Sequence, residues 1–209
     1  MAAPGPAAAV LANVIPNSGM TYRNYLSMAN GTQIDEAISN SIWAEVLRAH
    51  FPFPAFLVVP EYQAATAGRA DLLVHRYSAP PNGAAPINGM YLGRPNRIFA
   101  LEGKGYLTPQ ALCSKTITDQ VFGYIKTMKP SGLGGQARKF GILVSCDKFM
   151  VLSTESDGTH PSYVTWNAAN LRLQYDEVGT GSLHYGKVRF LLTSVGDLDL
   201  ILAEIATFY

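Results

Sequence analysis

The stretch RIFALEGKGYLTP, residues 97–109, places an acid and a base directly after an apolar run. Residues 98–101 are typical of a buried strand, and Glu102 and Lys104 follow two positions apart, each next to a glycine. Side chains two residues apart in a strand point to the same face of the sheet. We therefore expect Glu102 and Lys104 to share a face, either as a surface ion pair or as half of a metal-dependent active site.

The elements around this stretch predict an α/β fold with a mixed sheet. A helix is expected from Thr32 to His50, and it ends there because Pro52 disfavours helix in the residue before it. Two strands follow at 56–62 and 68–77, then a loop at 78–89. The later expected elements are a strand at 97–105, a helix at 109–128, two strands around a tight turn at 146–148, short strands or extended loop over the next forty residues, and a last helix from Ser194.

The composition predicts one domain, with a loose N-terminal arm at 1–20, a core at 32–153 and a C-terminal extension at 154–209. The chain has 209 residues, of which 48% are hydrophobic, enough for one packed core. A net charge of +1 provides no global field to attract nucleic acid. Two cysteines, no recognisable signal peptide and no apolar run of membrane-spanning length predict an intracellular protein that does not enter a membrane.

Asp71 and Glu102 are the carboxylates that we expect to meet. Aspartate is disfavoured within strands, so Asp71 at the head of an apolar run indicates a strand-end turn or a site. Pairing of the second and third strands would bring Asp71 and Glu102 together. Two carboxylates form the oxygen-rich ligand set that suits Mg²⁺ or Mn²⁺, and Lys104 adds a positive charge that could stabilise a phosphate.

Two polar side chains fall on helix faces that the pattern marks as apolar. Glu45 lies within the stripe of the first helix, whereas Glu36 points roughly the opposite way. Glu45 either enters a site between helix and sheet or, if the helix is slightly rotated, lies at the stripe's edge or pairs with a basic residue. Gln120 lies on the inward face of the second helix, as a site residue or a hydrogen-bonded core glutamine. The stripe of the first helix consists of Ile34, Ile38, Ile42, Val46 and Ala49.

This set of residues resembles the PD-(D/E)XK nuclease superfamily, which has the restriction-endonuclease-like fold. The resemblance covers 32–153 and includes similarity of GRADLLV and IFALEGKG to small nuclease-like domains of fungal and oomycete effector-type proteins. The chain departs from the superfamily pattern at Ala70, where a proline often stands. The matching residues are Glu45, Asp71, Glu102, Gly103, Lys104, Gln120 and Tyr124.

The resemblance implies an α-β-β-β-α-β core, with a central four-stranded mixed sheet flanked by helices. It also implies phosphodiester hydrolysis of DNA or RNA that depends on Mg²⁺ or Mn²⁺. Asp71 and Glu102 would be the metal ligands and Lys104 the catalytic lysine. Glu45 and Gln120 would be auxiliary catalytic residues.

A nuclease needs basic side chains to contact the phosphates of its nucleic-acid substrate. The candidates are Arg69, Lys115, Lys126, Lys129, Arg138 and Lys139. The alternative for most of them is a solvated helix face and loop. The alternative for the whole chain is an inactive nuclease-like fold that binds nucleic acid or protein, which the near-neutral charge favours, whereas the retained carboxylates and lysine favour an enzyme. The apolar final helix predicts either a homodimer or packing onto the chain's own sheet.

Overall fold

The computed structural model describes residues 4–28, 36–63, 69–77, 95–131, 137–179 and 185–209. Over these residues the chain is a mixed α/β fold, an open mixed sheet with helices on both faces. The helices are α1 (Pro6–Leu11), α2 (Tyr22–Ser27), α3 (Glu36–His50), α4 (Pro109–Leu112), α5 (Lys115–Thr127) and α6 (Leu191–Thr207). The strands are β1 (Phe56–Gln63), β2 (Arg69–Tyr77), β3 (Pro95–Lys104), β4 (Arg138–Ser145), β5 (Lys148–Glu155), β6 (Ser162–Asn167), β7 (Arg172–Glu177) and β8 (Arg189–Phe190).

The described strands form one sheet in the order β1-β2-β3-β4-β5-β6-β7, and β8 pairs with β5. Strands β3 and β4 are parallel, and the other pairs are antiparallel. The parallel pair needs a crossover connection, which α4 and α5 provide. In the described part of the chain the sheet therefore has eight strands rather than the expected four, because β5 and the C-terminal strands β6, β7 and β8 extend it beyond β1–β4.

Alternation along the central strands divides the core into two layers. On β4, Phe140, Ile142 and Val144 pack in the layer that contains α1, α3 and α6, whereas Leu143 packs toward α5. The final helix therefore packs onto the chain's own sheet. No described helix is both long and apolar enough to cross a membrane.

Two predicted boundaries differ from the structure, and two predicted features cannot be compared with it. The start of the first helix and the loop at 78–89 lie outside the described residues. The second predicted helix is divided into α4 and α5, since a new helix starts after Ser114. The last helix starts at Leu191, not at the predicted Ser194. Ser194 has a non-helical backbone conformation and lies at a kink within this helix.

The prediction of a loose arm at 1–20 is wrong for α1. The carboxylate of Asp199, on α6, accepts hydrogen bonds from the backbone N–H of Ala7 (2.6 Å) and of Ala8 (3.3 Å). These N–H groups belong to the first turn of α1 and have no partner within the helix. His50 Nε2 lies 2.8 Å from the same carboxylate, and all three side chains at this junction, Ala7, His50 and Asp199, are buried. A distant residue thus fixes α1 to the core.

Candidate functional site

Four of the five predicted catalytic residues meet at one end of the sheet. Leu72 of β2 is paired with Leu101 of β3, and this register brings Asp71 beside Glu102. Lys104 ends β3 on the same face as Glu102, and Gln120 approaches from α5. The structure therefore brings together groups that are up to 49 positions apart in the chain.

Glu102 is the most buried carboxylate of this cluster, with only 2% of its surface exposed. Its Oε1 accepts hydrogen bonds from Lys104 Nζ and from Gln120 Nε2, the latter at 2.7 Å. Its Oε2 is buried and has no hydrogen-bond partner in the described part of the chain. A buried carboxylate oxygen without a partner is energetically costly, so Glu102 has an unused ligand position inside the protein.

Burial raises the pKa of Glu102 from its ordinary value of 4.5 to about 7. The hydrogen bond and charge of Lys104 oppose this rise, whereas the negative charges of Asp71 and Glu36 add to it. Glu102 is therefore close to half-protonated at neutral pH. A cation bound at this carboxylate would favour its ionised form.

Asp71 is half-buried and is held by the end of β3. Its Oδ2 accepts a hydrogen bond from the backbone N–H of Gly103 at 2.7 Å, and the Asn40 side chain also donates to this carboxylate. Burial raises the pKa of Asp71, the Gly103 hydrogen bond lowers it, and the charge of Glu36 raises it again. The net effect is a raised pKa, so Asp71 and Glu102 both resist ionisation even beside the Lys104 ammonium.

Lys104 is the cation of the cluster. Burial lowers its pKa, but the hydrogen bond and charge of Glu102, with the charges of Asp71 and Glu36, more than compensate and raise it. Lys104 is therefore an ammonium group at neutral pH. Gln120 holds Glu102 from the other side, and its amide also donates to the hydroxyl of Tyr124 at 2.7 Å.

The prediction that Glu45 points into the site is wrong. Glu45 is half exposed and forms an ion pair with Arg48 on the outer side of α3. The reason is a rotation of α3 by about one residue relative to the predicted stripe: Ile38 is exposed, whereas Ser39 is buried. A shift of one residue turns a helix by about 100°, enough to move Glu45 out of the core.

Glu36 and Asn40 occupy the position that the sequence analysis gave to Glu45. Glu36 Oε2 accepts a hydrogen bond from the backbone N–H of Gly105 at 3.0 Å, and Asn40 contacts Asp71. A Cβ at Gly103 would lie 1.8 Å from Asn40 Oδ1, so the glycine allows this close approach. The sequence spacing could have identified these two residues. Positions 36, 40 and 43 are three or four residues apart, so Glu36 and Asn40 lie on the same helical face as the buried Trp43.

The predicted phosphate-contacting residues are mostly elsewhere. Arg138 packs its guanidinium 4.0 Å from the centre of the Tyr175 ring, and Lys139 is buried with Nζ donating to the carbonyl of Lys126. Arg138 lies five residues before Leu143, the partner of Glu102, and hence roughly 16 Å from the site. These two side chains are structural, and the prediction for them is wrong.

The other basic candidates divide between the two ends of the sheet. Lys126 and Lys129 are exposed, but the backbone N–H of Lys129 binds the carbonyl of Arg97, at the end of β3 away from Glu102. Lys115 starts α5 at the site end, is largely exposed and pairs with Asp119. The backbone of Arg69 lies next to Asp71 in β2, and its side chain is outside the described part of the structure.

Asp71 and Glu102 are the residues that could hold a divalent metal ion. Across the described residues, no group of three or more His, Cys, Asp or Glu side chains is arranged to hold a metal. Magnesium, however, is usually bound by one or two protein carboxylates, with water and substrate phosphate oxygens as the other ligands. The free, buried Oε2 of Glu102 beside Asp71 fits such a site.

The raised pKa of Glu102 predicts a decline in stability with increasing pH. Between about pH 4.5 and 7 the folded chain binds more protons than the unfolded chain, so this contribution is full below pH 4.5 and is lost as pH rises through 7. Glu102→Gln should remove that decline. The free energy of unfolding of the variant minus that of the original chain should therefore increase by about 1–3 kcal/mol from pH 4.5 to pH 8. Urea unfolding at pH 4.5, 6, 7 and 8 measures this difference, and a difference that does not change with pH would contradict it.

Comparisons of the chain with protein-family models, with curated proteins and with solved structures find no match.

Proposed function

We propose that this chain is a divalent-metal-dependent nuclease that hydrolyses phosphodiester bonds of DNA or RNA. The observation that carries the proposal is the convergence of Asp71, Glu102 and Lys104 at one end of the sheet, with one carboxylate oxygen of Glu102 buried and unpartnered. Burying two acids together costs free energy, and a bound cation would offset that cost.

Asp71 and Glu102 would hold Mg²⁺ or Mn²⁺, which supplies an acidic water and charge neutralisation at a phosphate. The Lys104 ammonium, one quarter exposed, is placed to bind a phosphate oxygen and stabilise the negative charge that develops during hydrolysis. Gln120 holds the carboxylate of Glu102 in place through Oε1 and leaves Oε2 free. Glu36 and Asn40 position the β3 end and Asp71.

The acid–base balance of the site supports activity at neutral to alkaline pH. Glu102 must be ionised to serve as a ligand, and its pKa of about 7 makes this form predominate only above neutrality. We therefore expect cleavage to increase as the pH rises through 7, in the direction opposite to the stability effect described above.

The proposal is tested with purified protein and labelled plasmid, single-stranded DNA and RNA in EDTA, Mg²⁺ or Mn²⁺. We expect cleavage of at least one substrate with Mg²⁺ or Mn²⁺ and none in EDTA. Absence of cleavage with both metals, or cleavage that EDTA does not reduce, would contradict the proposal. If the chain binds nucleic acid without cleaving it, the result would instead favour an inactive nuclease-like fold that acts as an interaction module.

A further inference from the structure

A row of residues crosses the sheet from the candidate site to an exposed aromatic pair. Lys104 of β3 is paired with Ser145 of β4, Ser145 with Lys148 of β5, and Lys148 with Phe190 of β8. Adjacent strands are about 4.8 Å apart, so Phe190 lies roughly 14 Å from Lys104 along this row. Tyr106 follows β3 at the same end of the sheet.

This row lies on the face of the sheet that carries the site. Met150 and Leu152 of β5 pack toward α5, so Lys148, which has the same parity, faces that side too. Glu102 also faces α5, as its hydrogen bond to Gln120 shows. The carboxylates and the aromatic pair therefore lie on one face of the sheet.

Lys148 is buried between the two aromatic rings. Its Nζ lies 2.9 Å from Asp147 Oδ1, 4.6 Å from the centre of the Tyr106 ring and 5.7 Å from that of Phe190. Tyr106 nevertheless retains 37% of its surface exposed and Phe190 39%. The ammonium contacts both rings by cation–π attraction, and more than a third of the surface of each residue is exposed to solvent.

We propose that Tyr106 and Phe190, here called the aromatic platform, stack on bases of a single-stranded nucleic acid whose backbone passes the Asp71–Glu102–Lys104 site. This inference rests on the proposed function and specifies its substrate as single-stranded. Aromatic side chains bind single strands by stacking because unpaired bases expose their faces, whereas the bases of a duplex stack on one another.

The charges at this end of the sheet also favour a stacking mode. Duplex binding depends mainly on cations that contact phosphates. Lys148 forms an ion pair with Asp147, and Lys115 forms one with Asp119. The whole chain has a net charge of +1. Stacking on the aromatic platform supplies binding energy that these paired cations do not.

The test measures binding of fluorescent 15-nucleotide oligothymidylate and oligouridylate by anisotropy in EDTA, where no cleavage interferes. We expect Tyr106→Ala and Phe190→Ala each to weaken binding of at least one of these oligonucleotides by about 5-fold or more. The slope of log affinity against log salt should stay the same, because neither ring contacts phosphate. Tyr106→Phe, which keeps the ring, and Phe53→Ala, which removes an exposed ring at the other end of the sheet, should bind as the original chain does.

If both alanine variants bind with affinities within 2-fold of the original chain, the platform is overturned. It is also overturned if the alanine variants lose as much affinity for a 15-base-pair duplex as for the single strands. A second measurement needs no variant: ultraviolet cross-linking of bromouracil-substituted oligonucleotides should label peptides that contain Tyr106 or Phe190. Labelling only at other peptides would overturn the inference even if a variant failed to fold.

The results separate this inference from the proposed function. Metal-dependent cleavage with ring-independent binding would remove the platform alone. Ring-dependent binding without cleavage would remove the catalytic proposal and keep the platform. Absence of binding in EDTA would remove the platform, and only absence of metal-dependent cleavage as well would remove both.

Discussion

Glu102→Gln is expected to lower the rate of metal-dependent cleavage by about 10³-fold or more. The substitution keeps the shape of the side chain and an acceptor oxygen for Lys104, but it removes the negative charge needed to hold a cation. Single-turnover cleavage at pH 8 with saturating Mg²⁺ measures the effect on the chemical step. At subsaturating Mg²⁺, where protons compete with the metal for Glu102, the original chain should also lose cleavage rate as the pH falls below about 7, the pKa of Glu102.

Glu45→Gln is the matched control for this experiment. It makes the same chemical change at an exposed carboxylate that pairs with Arg48 outside the site. We expect its cleavage rate to stay within twofold of the original. A Glu102→Gln variant that keeps more than a tenth of the original rate, or a Glu45→Gln variant that loses as much, would show that the wrong carboxylate was chosen.

Asp199→Ala is expected to lower the free energy of unfolding by about 3 kcal/mol. The change leaves the N–H groups of Ala7 and Ala8 without their acceptor and leaves His50 without its buried partner. Urea unfolding measures the loss. Asp197→Ala is the control, since it removes an exposed carboxylate from the same helix and should change stability by less than about 0.5 kcal/mol. Equal stabilities for the two variants would show that α1 contributes nothing through Asp199.

The sequence pattern predicted the residues whose placement depends on strand parity and neighbouring pairs. Glu102 and Lys104 share a face because they are two positions apart in β3, and Asp71 meets them because β2 and β3 pair along their length. Gln120 was identified from its place on the inward face of a helix, and it contacts Glu102. These positions follow from local periodicity and one strand pairing.

The incorrect predictions for Glu45 and Arg138 arose where polar side chains pack inside the protein. On α3 the buried face includes Ser39 and His50, so hydrophobic periodicity alone chose a stripe rotated toward Ile38 and placed Glu45 inside it. Arg138 was read as a surface cation, but its partner Tyr175 comes from β7, in a region whose strands the sequence left uncertain.

The N-terminal segment was misjudged for a different reason. Its composition, rich in alanine and proline, is typical of a loose arm. Pro6 instead opens α1, Ala7 packs in the core, and the carboxylate that binds the helix start comes from Asp199, 192 positions away. A contact of that sequence separation leaves no local pattern from which it could be predicted.

The proposed function requires Asp71 and Glu102 to hold one divalent cation together. Titration with Mn²⁺, followed by the electron paramagnetic resonance signal of the free ion, measures this directly and without any substrate. We expect one bound ion per chain at pH 8, with affinity at least tenfold weaker in Asp71→Asn and in Glu102→Gln and unchanged in Glu45→Gln. A chain that binds no Mn²⁺, or site variants that bind it as tightly as the original, would contradict a metal site at Asp71 and Glu102.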